Sequence, residues 1–358
     1  MDANYSAEAW PTNGLERVET CPVCWNSERV LLYQDLTDTV FHCAPGVWNL
    51  YQCQGCGSGY LDPRPTAATI GLAYAAYYTH NDREVAVNGV GKGGLSHWMR
   101  ALVNGYRKDR FGINAYPALS IGKWLIPAVP PVRAHADAVI QHLRELPTGG
   151  RQLLDIGCGN GLMLSFARDM GWSARGVELD SDAVAVARSR GLDVKHGDIR
   201  VLAHEREAYD MITCSHVIEH VHDPLSLLSD IYRLLKPEGI LWLQTPNIDS
   251  LGRKRFGPNW RGLEPPRHLV LFSSSSLKQA LRNAGFVPSD AGECGLQVPL
   301  MYVASHALAR GRNPYEVSPV YAFTPVVIMD MLKEAKNPGI REVISVYCKK
   351  EFCDAGRP

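Results

Sequence analysis

The hydrophobic pattern between residues 150 and 290 alternates between two periods. Short apolar runs at 153–156, 209–215 and 240–244 have the length and composition of buried strands. Between them, 162–170 and 225–235 carry apolar residues every three to four positions, which is typical of helices that pack one face on a sheet. Strand and helix in regular succession predict an α/β fold with a doubly wound sheet.

The first sixty residues follow a different pattern, in which cysteine pairs replace long apolar runs. Four of the five cysteines in this part lie in two C-x-x-C pairs, Cys21 and Cys24, and Cys53 and Cys56. Such pairs present four thiolates, the ligand set of a tetrahedral structural zinc site. The segments 29–33 and 41–42 between them alternate like hairpin strands. We therefore predict a small zinc-ribbon domain over residues 1–62, with His42 and Cys43 as substitute ligands.

Two further regions are predicted to be helical additions. Residues 63–147 are interpreted as a helical lid or linker, in which 98–110 form a basic amphipathic helix with Arg107 among its outward cations. The main domain is expected over 148–358, interrupted by a helical insertion at 295–338. The apolar positions of this insertion could cover the substrate cleft, form a homodimer interface or contact lipid.

Composition and charge exclude some classes of partner. The chain has 358 residues with 37 basic and 37 acidic side chains, so no net charge attracts nucleic acid or anionic membranes. We find no transmembrane segment and no basic, apolar signal sequence in the pattern. Ten cysteines without such a signal indicate metal binding or free thiols, and predict a cytoplasmic location.

A glycine-rich turn, Asp155-Ile156-Gly157-Cys158-Gly159-Asn160-Gly161, follows the first predicted strand of the main domain. Glycines at alternate positions allow backbone conformations that a Cβ forbids, and they let a ligand approach the main chain. A dinucleotide-binding loop would need a glycine at position 162, where the chain has Leu162. The D-x-G-x-G-x-G pattern instead resembles motif I of the class I S-adenosylmethionine (SAM)-dependent methyltransferases.

Four later features carry the same resemblance at the spacing of that family. They are Glu178 at the end of the second strand, Gly197-Asp198-Ile199 after the third, Ile218-Glu219-His220 after the fourth, and Leu235-Lys236-Pro237-Glu238-Gly239 before the fifth. The zinc-ribbon start, Trp260, Pro266-Arg267-His268 and Gly285-Phe286 are similar to bacterial members that modify sugars in glycan or secondary-metabolite pathways. The resemblance implies a seven-stranded, Rossmann-like methyltransferase sheet with SAM as cofactor and Zn²⁺ as structural metal.

The resemblance also implies which residues bind the cofactor. These are Asp155, Gly157, Gly159, Gly161, Glu178, Leu179, Asp198, Ile199, Ser215 and His216. The glycines would face the methionine part, with Asp155 ordering their loop or meeting the cofactor's amino group. Glu178 would bind both ribose hydroxyls, Asp198 and Ile199 would frame the adenine, and Ser215 and His216 would lie beside the sulfonium. All fall where strands one and four meet, the usual ligand site of a doubly wound sheet.

The acceptor side is expected to contain a base. A sugar hydroxyl must lose its proton, and histidine is the usual acceptor at neutral pH. His268 and His220 are the candidates, with Trp260 as a flat face for a sugar ring. His268 could instead only pin its proline-rich loop, and His220 could be structural. His216, Glu219 and His220 also resemble, with one substitution, an acid-acid-His metal cluster of certain quinone-pathway O-methyltransferases.

The expected reaction is O-methylation of a sugar hydroxyl on a small molecule or glycan. C-methylation of a nucleotide-linked keto-sugar is an alternative, since some deoxysugar C-methyltransferases also carry N-terminal zinc. Ribosomal RNA is a third acceptor class, but zero net charge and only short basic clusters such as Arg253-Lys254-Arg255 argue against it.

Overall fold

The structure is a computed structural model that describes residues 10–75, 94–129, 132–133, 136–137, 140–143, 151–291, 297–315 and 324–350. Parts of the predicted lid or linker (76–93 and 144–147), and the predicted boundary at residue 148, lie outside these ranges. Among the described residues, no helix combines the length and apolarity needed to cross a membrane.

The N-terminal part contains five short strands: β1 (Leu15–Glu16), β2 (Arg29–Leu36), β3 (Trp48–Cys53), β4 (Gly59–Leu61) and β5 (Arg64–Pro65). Strands β2, β3 and β4 pair antiparallel, and β1 pairs with β5. The predicted strand at 41–42 is wrong. That segment is a loop because the carboxylate of Asp38 accepts backbone N–H groups from Phe41, Cys43 and Ala44, at 3.0–3.1 Å.

The next helices are α1 (Gly94–Phe111) and α2 (Gly122–Leu125). Their segments approach closely, since a Cβ added at Gly105 would lie 1.8 Å from the carbonyl oxygen of Leu119. The predicted outward orientation of Arg107 is wrong. Its side chain is buried and its Nε donates to the carbonyl of Ala136, so that face of α1 packs inward.

The main domain alternates strand and helix as predicted. Its elements are β6 (Gln152–Ile156), α3 (Leu162–Asp169), β7 (Ser173–Glu178), α4 (Ser181–Ser189), β8 (Asp193–His196), β9 (Tyr209–Ser215), α5 (Pro224–Leu234), β10 (Leu235–Pro246), α6 (Leu251–Phe256), β11 (Val270–Leu271), α7 (Ser274–Asn283), β12 (Phe286–Asp290), α8 (Gln297–Leu308), α9 (Pro325–Lys336) and β13 (Val343–Lys350). Seven strands form one sheet in the order β12-β13-β10-β9-β6-β7-β8. Strand β13 runs antiparallel to both of its neighbours, β12 and β10, whereas the pairs among β10, β9, β6, β7 and β8 are parallel. The predicted seven-stranded, Rossmann-like methyltransferase fold is therefore confirmed.

Strand β11 belongs to a different sheet from its sequence neighbours. It pairs antiparallel with β4, so the N-terminal sheet has the order β11-β4-β3-β2. The backbone N–H of Leu61 also donates to the carbonyl of Leu269, just before β11. One apolar core includes Tyr60 of the N-terminal part and Phe272 of the main domain. The loop that precedes β11 is consequently held against the N-terminal part.

The predicted helical insertion is represented by α8 and α9. Val298, Tyr302 and Val327 are buried together between them. Large apolar side chains on the other faces are exposed, namely Leu300, Val326, Ile328, Met329 and Leu332. The insertion thus covers part of the domain and presents an apolar surface on its outer side.

Candidate active site and metal centre

The glycine turn joins β6 to α3 with a left-handed backbone at Gly157, Gly159 and Gly161, whose φ angles are +70°, +53° and +80°. A Cβ at Gly157 would lie 2.5 Å from Val217, and one at Gly161 would lie 2.4 Å from Leu192. A Cβ at Gly159 would meet no atom within 4 Å. Two glycines are thus needed for packing, whereas Gly159 borders open space at the carboxyl end of the sheet.

Glu178, at the end of β7, reaches this turn. Its Oε2 accepts from the N–H of Gly159 at 2.8 Å, and its Oε1 accepts from the N–H of Asp180 at 2.9 Å. A carboxylate oxygen has two lone pairs, so both oxygens can accept a further hydrogen bond. The adjacent Leu179 is exposed. The structure therefore places the Glu178 carboxylate beside Gly159, at the border of the open space, and leaves Leu179 exposed.

Asp155 lies beneath the glycine turn, buried at the end of β6. Its Oδ1 accepts from the hydroxyl of Thr213 on β9 at 2.6 Å. Burial raises the pKa of Asp155 to about 7, although the Thr213 hydrogen bond opposes the shift. Near neutral pH this carboxyl is therefore only partly ionised, and a nearby cation would favour its charged form.

Asp198 and Ile199 follow β8. Asp198 accepts from the N–H of Arg200 at 2.9 Å and pairs with its guanidinium, which lowers the pKa of Asp198. Ile199 is buried. One polar side chain and one buried apolar side chain thus follow directly after β8.

His216 follows β9 in a left-handed conformation, with φ of +53°. Its Nδ1 lies 3.1 Å from Oε1 of Glu219, and Thr245 donates to Oε2 of Glu219 at 2.9 Å. Burial disfavours the charged carboxylate, but the hydrogen bond with His216 and the charges of the nearby histidines together outweigh it and lower the pKa of Glu219 to about 2. The same contact raises the pKa of His216 against its own desolvation. Ser215 and His216 thus stand at the switch point between β9 and β6.

The two candidate bases lie side by side. The rings of His220 and His268 meet edge to face, with centroids 4.7 Å apart. Nδ1 of His268 lies 2.8 Å from the carbonyl of Gly262, and burial lowers the pKa of His268 to about 4. Nδ1 of His220 lies 3.0 Å from both the carbonyl of Arg267 and the hydroxyl of Tyr74. His220 is less deeply buried than His268.

A possible metal cluster differs in one member from the one that the sequence suggests. The ligand atoms of Glu219, His220 and His268 all lie within 4.8 Å of one another. Among the described residues, His216 is not part of that group and instead pairs with Glu219 alone. The structure therefore brings His268 to the position that the sequence pattern gave to His216.

Buried charges surround the histidines. Glu264 accepts from Nε of Arg267 at 3.0 Å and pairs with Arg261, which lowers the pKa of Glu264. Arg267, with no exposed side-chain surface, forms a two-pronged ion pair with Asp38. Of these charged residues, only Asp38 is far from His268 in sequence. The sequence analysis missed Tyr74, Asp38 and Glu264, since no local motif marks them.

The expected role of Trp260 as a face for a sugar ring is wrong. Trp260 is 1% exposed, and its Nε1 donates to Oε2 of Glu342 at 2.8 Å. Its ring also packs on Gly262, where a Cβ would lie 2.3 Å from the indole. Trp260 therefore belongs to the core beneath its loop.

The four cysteines of the C-x-x-C pairs converge. Their Sγ atoms lie within 4.8 Å of one another, with 3.7 Å between Cys21 and Cys56 and 3.5 Å between Cys24 and Cys53. Tetrahedral Zn²⁺ with bonds of about 2.3 Å separates its sulfur ligands by roughly 3.8 Å, so the geometry fits zinc. Cys43 lies elsewhere, with its Sγ donating to the carbonyl of Ala73.

Comparisons with known proteins agree with this fold. Residues 132–289 match the family described as "Methyltransferase domain". This part of the chain is therefore similar to that family.

Curated relatives match over part of their length. A probable SAM-dependent methyltransferase of Mycolicibacterium smegmatis is 30% identical over 39% of this chain and 54% of its own. A ubiquinone biosynthesis O-methyltransferase of Xanthomonas oryzae pv. oryzae is 36% identical over 28% of this chain and 46% of its own. The chain thus spans about half the length of these relatives. A solved SAM-dependent methyltransferase from Archaeoglobus fulgidus aligns with a TM-score of 0.42 and 21% identity, over 61% of this chain and 94% of that one.

Proposed function

We propose that the protein transfers a methyl group from SAM to a hydroxyl of a sugar-bearing small molecule or glycan. One observation supports this most strongly. At the switch point of the sheet, the main chain of Gly159 borders open space, and Glu178 lies 2.8 Å from its N–H.

The residues around this space suit the parts of SAM. Glu178 would bind the ribose hydroxyls, Asp198 and Ile199 would flank the adenine, and Leu179 would cover it. The carboxyl of Asp155 would meet the cofactor's ammonium, and Ser215 and His216 would lie near the sulfonium. When bound, SAM supplies an activated methyl group, so the chain's own task is to align the acceptor and remove its proton.

We place proton acceptance on His220, with His268 as the second candidate. A carbonyl oxygen only accepts hydrogen bonds, so Nδ1 of His220 must carry the proton that faces Arg267, and Nε2 keeps a lone pair. His268 is held in the same tautomer by Gly262, but its deep burial and its lowered pKa disfavour the role of base. Its contacts favour the role of a pin for the loop.

One feature favours an oxygen atom as the methyl acceptor, and a second favours a ligand with several hydroxyls. The ubiquinone relatives are named O-methyltransferases. A cavity of about 280 Å³ also lies between β2 and the loop before His268. Its polar lining residues are Gln34, Asp35, Thr37, Thr39, Asn259 and Glu264. Hydroxyl, amide and carboxylate groups of this kind would bind a polyhydroxylated ligand.

Two further parts of the proposal concern the metal and the quaternary structure. Cys21, Cys24, Cys53 and Cys56 would hold one structural Zn²⁺, because a closed four-sulfur site leaves no position for a substrate. The exposed apolar faces of α8 and α9 would form a homodimer interface.

The function is tested by SAM consumption against three acceptor classes: nucleotide-sugars, oligosaccharides and ribosomal RNA. We expect turnover with a sugar hydroxyl and a product O-methyl group identified by mass spectrometry. Product methylated on carbon would support the keto-sugar alternative, and turnover with RNA alone would contradict the proposal.

A further inference from the structure

Arg267 connects the N-terminal part to the candidate base. Its Nη1 donates to Oδ2 of Asp38 at 3.0 Å and to the carbonyl of Ala73 at 2.8 Å, and its Nη2 donates to Oδ1 of Asp38. Its Nε donates to Glu264. The guanidinium is fully buried, so the loss of Asp38 would leave Nη1 and Nη2 without their carboxylate acceptor and away from water.

Asp38 is itself fixed by the segment that follows β2. Its carboxylate accepts backbone N–H groups from Val40, Phe41, Cys43 and Ala44. Strand β3, which follows this segment, ends at Cys53 of the candidate zinc site. The position of Asp38 therefore depends on the folded N-terminal part.

Both contacts of Nδ1 of His220 depend on Arg267. The first partner is the carbonyl of Arg267. The second is the hydroxyl of Tyr74, which follows Ala73, and the carbonyl of Ala73 is bound by the Arg267 side chain. Arg267 thus supplies one of the two groups that contact the imidazole and binds the residue next to the other.

From these contacts we infer that Asp38 and Arg267 are positioning residues for His220, so that the N-terminal part completes the catalytic centre. The pair keeps the proton of His220 on Nδ1 and leaves Nε2 free to accept the acceptor's proton. The consequence for turnover rests on the proposed function, but the effect on the imidazole does not.

The test is the ¹⁵N spectrum of the imidazoles in the full-length, zinc-loaded protein, with His220→Gln used to assign the His220 signals. In wild type we expect His220 to be almost entirely protonated on Nδ1. In Asp38→Asn the second tautomer should become populated, and turnover of an accepted sugar should fall about 100-fold while SAM affinity stays within about twofold. A folded Asp38→Asn protein in which His220 keeps the wild-type spectrum would overturn the inference.

Asp62→Asn is the matched control. Asp62 is another buried carboxylate of the N-terminal part, 1% exposed, and pairs with Arg29 at 2.7 Å. We expect this variant to lose stability but to keep the His220 spectrum and the turnover number. An equal change in both variants would contradict the inference, since it would reflect general loosening. If Asp38→Asn does not fold, Arg267→Lys is measured instead, because it retains the charge but not the two-pronged contact.

The two proposals fail separately. If wild type does not bind SAM by calorimetry, the proposed function is wrong, and the imidazole spectrum still decides whether Asp38 orients His220. If SAM binds and the spectrum of Asp38→Asn is unchanged, only the positioning role is wrong.

Discussion

At the glycine turn, the contact that shapes the site joins residues 19 positions apart, Gly159 and Glu178. Around His220, the contacts join residues 146 positions apart, as for Tyr74, and 229 positions apart between Asp38 and Arg267. The cofactor end uses main-chain groups and glycine conformations, whereas the acceptor end uses buried side-chain charges.

Because of this difference, the two ends should respond differently to changes elsewhere in the chain. Main-chain contacts within one βαβ unit form whenever that unit folds, so the cofactor end should tolerate changes elsewhere in the chain. A buried charge pair between distant segments is lost when either segment shifts, and its loss is costly. Breaking the contact between Asp38 and Arg267 should therefore lower turnover while cofactor binding is kept.

The largest expected effect comes from removing the metal. Wild type should contain about one Zn²⁺ per chain, and Cys24→Ser should lose most of it because the site loses one of its four thiolates. The effect should be large, because structural zinc contributes roughly 10–16 kcal/mol to folding in small zinc-binding peptides. We expect the variant to lose turnover and to keep SAM affinity within about fivefold. Elemental analysis and calorimetry measure the two quantities.

Cys43→Ser controls for the loss of any thiol in the same part, since Cys43 is buried but lies outside the four-cysteine group. It should retain the metal. If SAM binding disappears together with zinc in Cys24→Ser, the two ends form one cooperative unit and the contrast between them is wrong.

The next effect separates the two histidines. His220→Gln should lower turnover about 10²–10⁴-fold, because glutamine cannot accept the proton near neutral pH. His268→Gln should lower it by at most about tenfold, since glutamine can still donate to Gly262. SAM affinity should be unchanged in both, as calorimetry would show. The reverse ranking would assign the base to His268.

The cofactor end could be predicted from the sequence, whereas most of the acceptor end could not. The seven strands, the glycine turn and the position of Glu178 are encoded in runs of neighbouring residues, so their periodicity and spacing reveal them. The cluster around His220 is not, because Asp38 and Tyr74 carry no local signal and reach it through long-range contacts such as the β4–β11 pairing.

Two of the three incorrect predictions have the same origin. Trp260 and Arg107 were assigned to the surface from their own segments, but their partners Glu342 and Ala136 lie 82 and 29 positions away and bury them. The loop at 41–42 alternates like a strand, yet the carboxylate of Asp38 competes for its backbone N–H groups.

A smaller effect tests the cofactor end. Glu178→Ala should weaken SAM binding by about 1.5–3 kcal/mol, or about 10- to 150-fold, because the ribose hydroxyls lose a charged acceptor. Asp182→Ala, which removes an exposed acid four positions later, should leave the affinity unchanged. Calorimetry on both folded variants measures the difference, and equal affinities would show that Glu178 does not bind the cofactor.

The smallest effect concerns one proton at Asp155. Its pKa is raised to about 7 by burial, so at pH 6 most molecules carry the proton. If the ammonium of SAM pairs with this carboxylate, binding at pH 6 should release up to about 0.9 proton, and affinity should rise with pH until about pH 7 and then level off. Calorimetry in two buffers of different protonation enthalpy measures the release.

Glu342→Gln is the control, because the pKa of Glu342 is also raised to about 7 but its contacts are with Trp260 and Gly252. Release should persist in that variant and vanish in Asp155→Asn. Release that persists in Asp155→Asn would mean that Asp155 only orders the glycine turn and that the ammonium lies elsewhere.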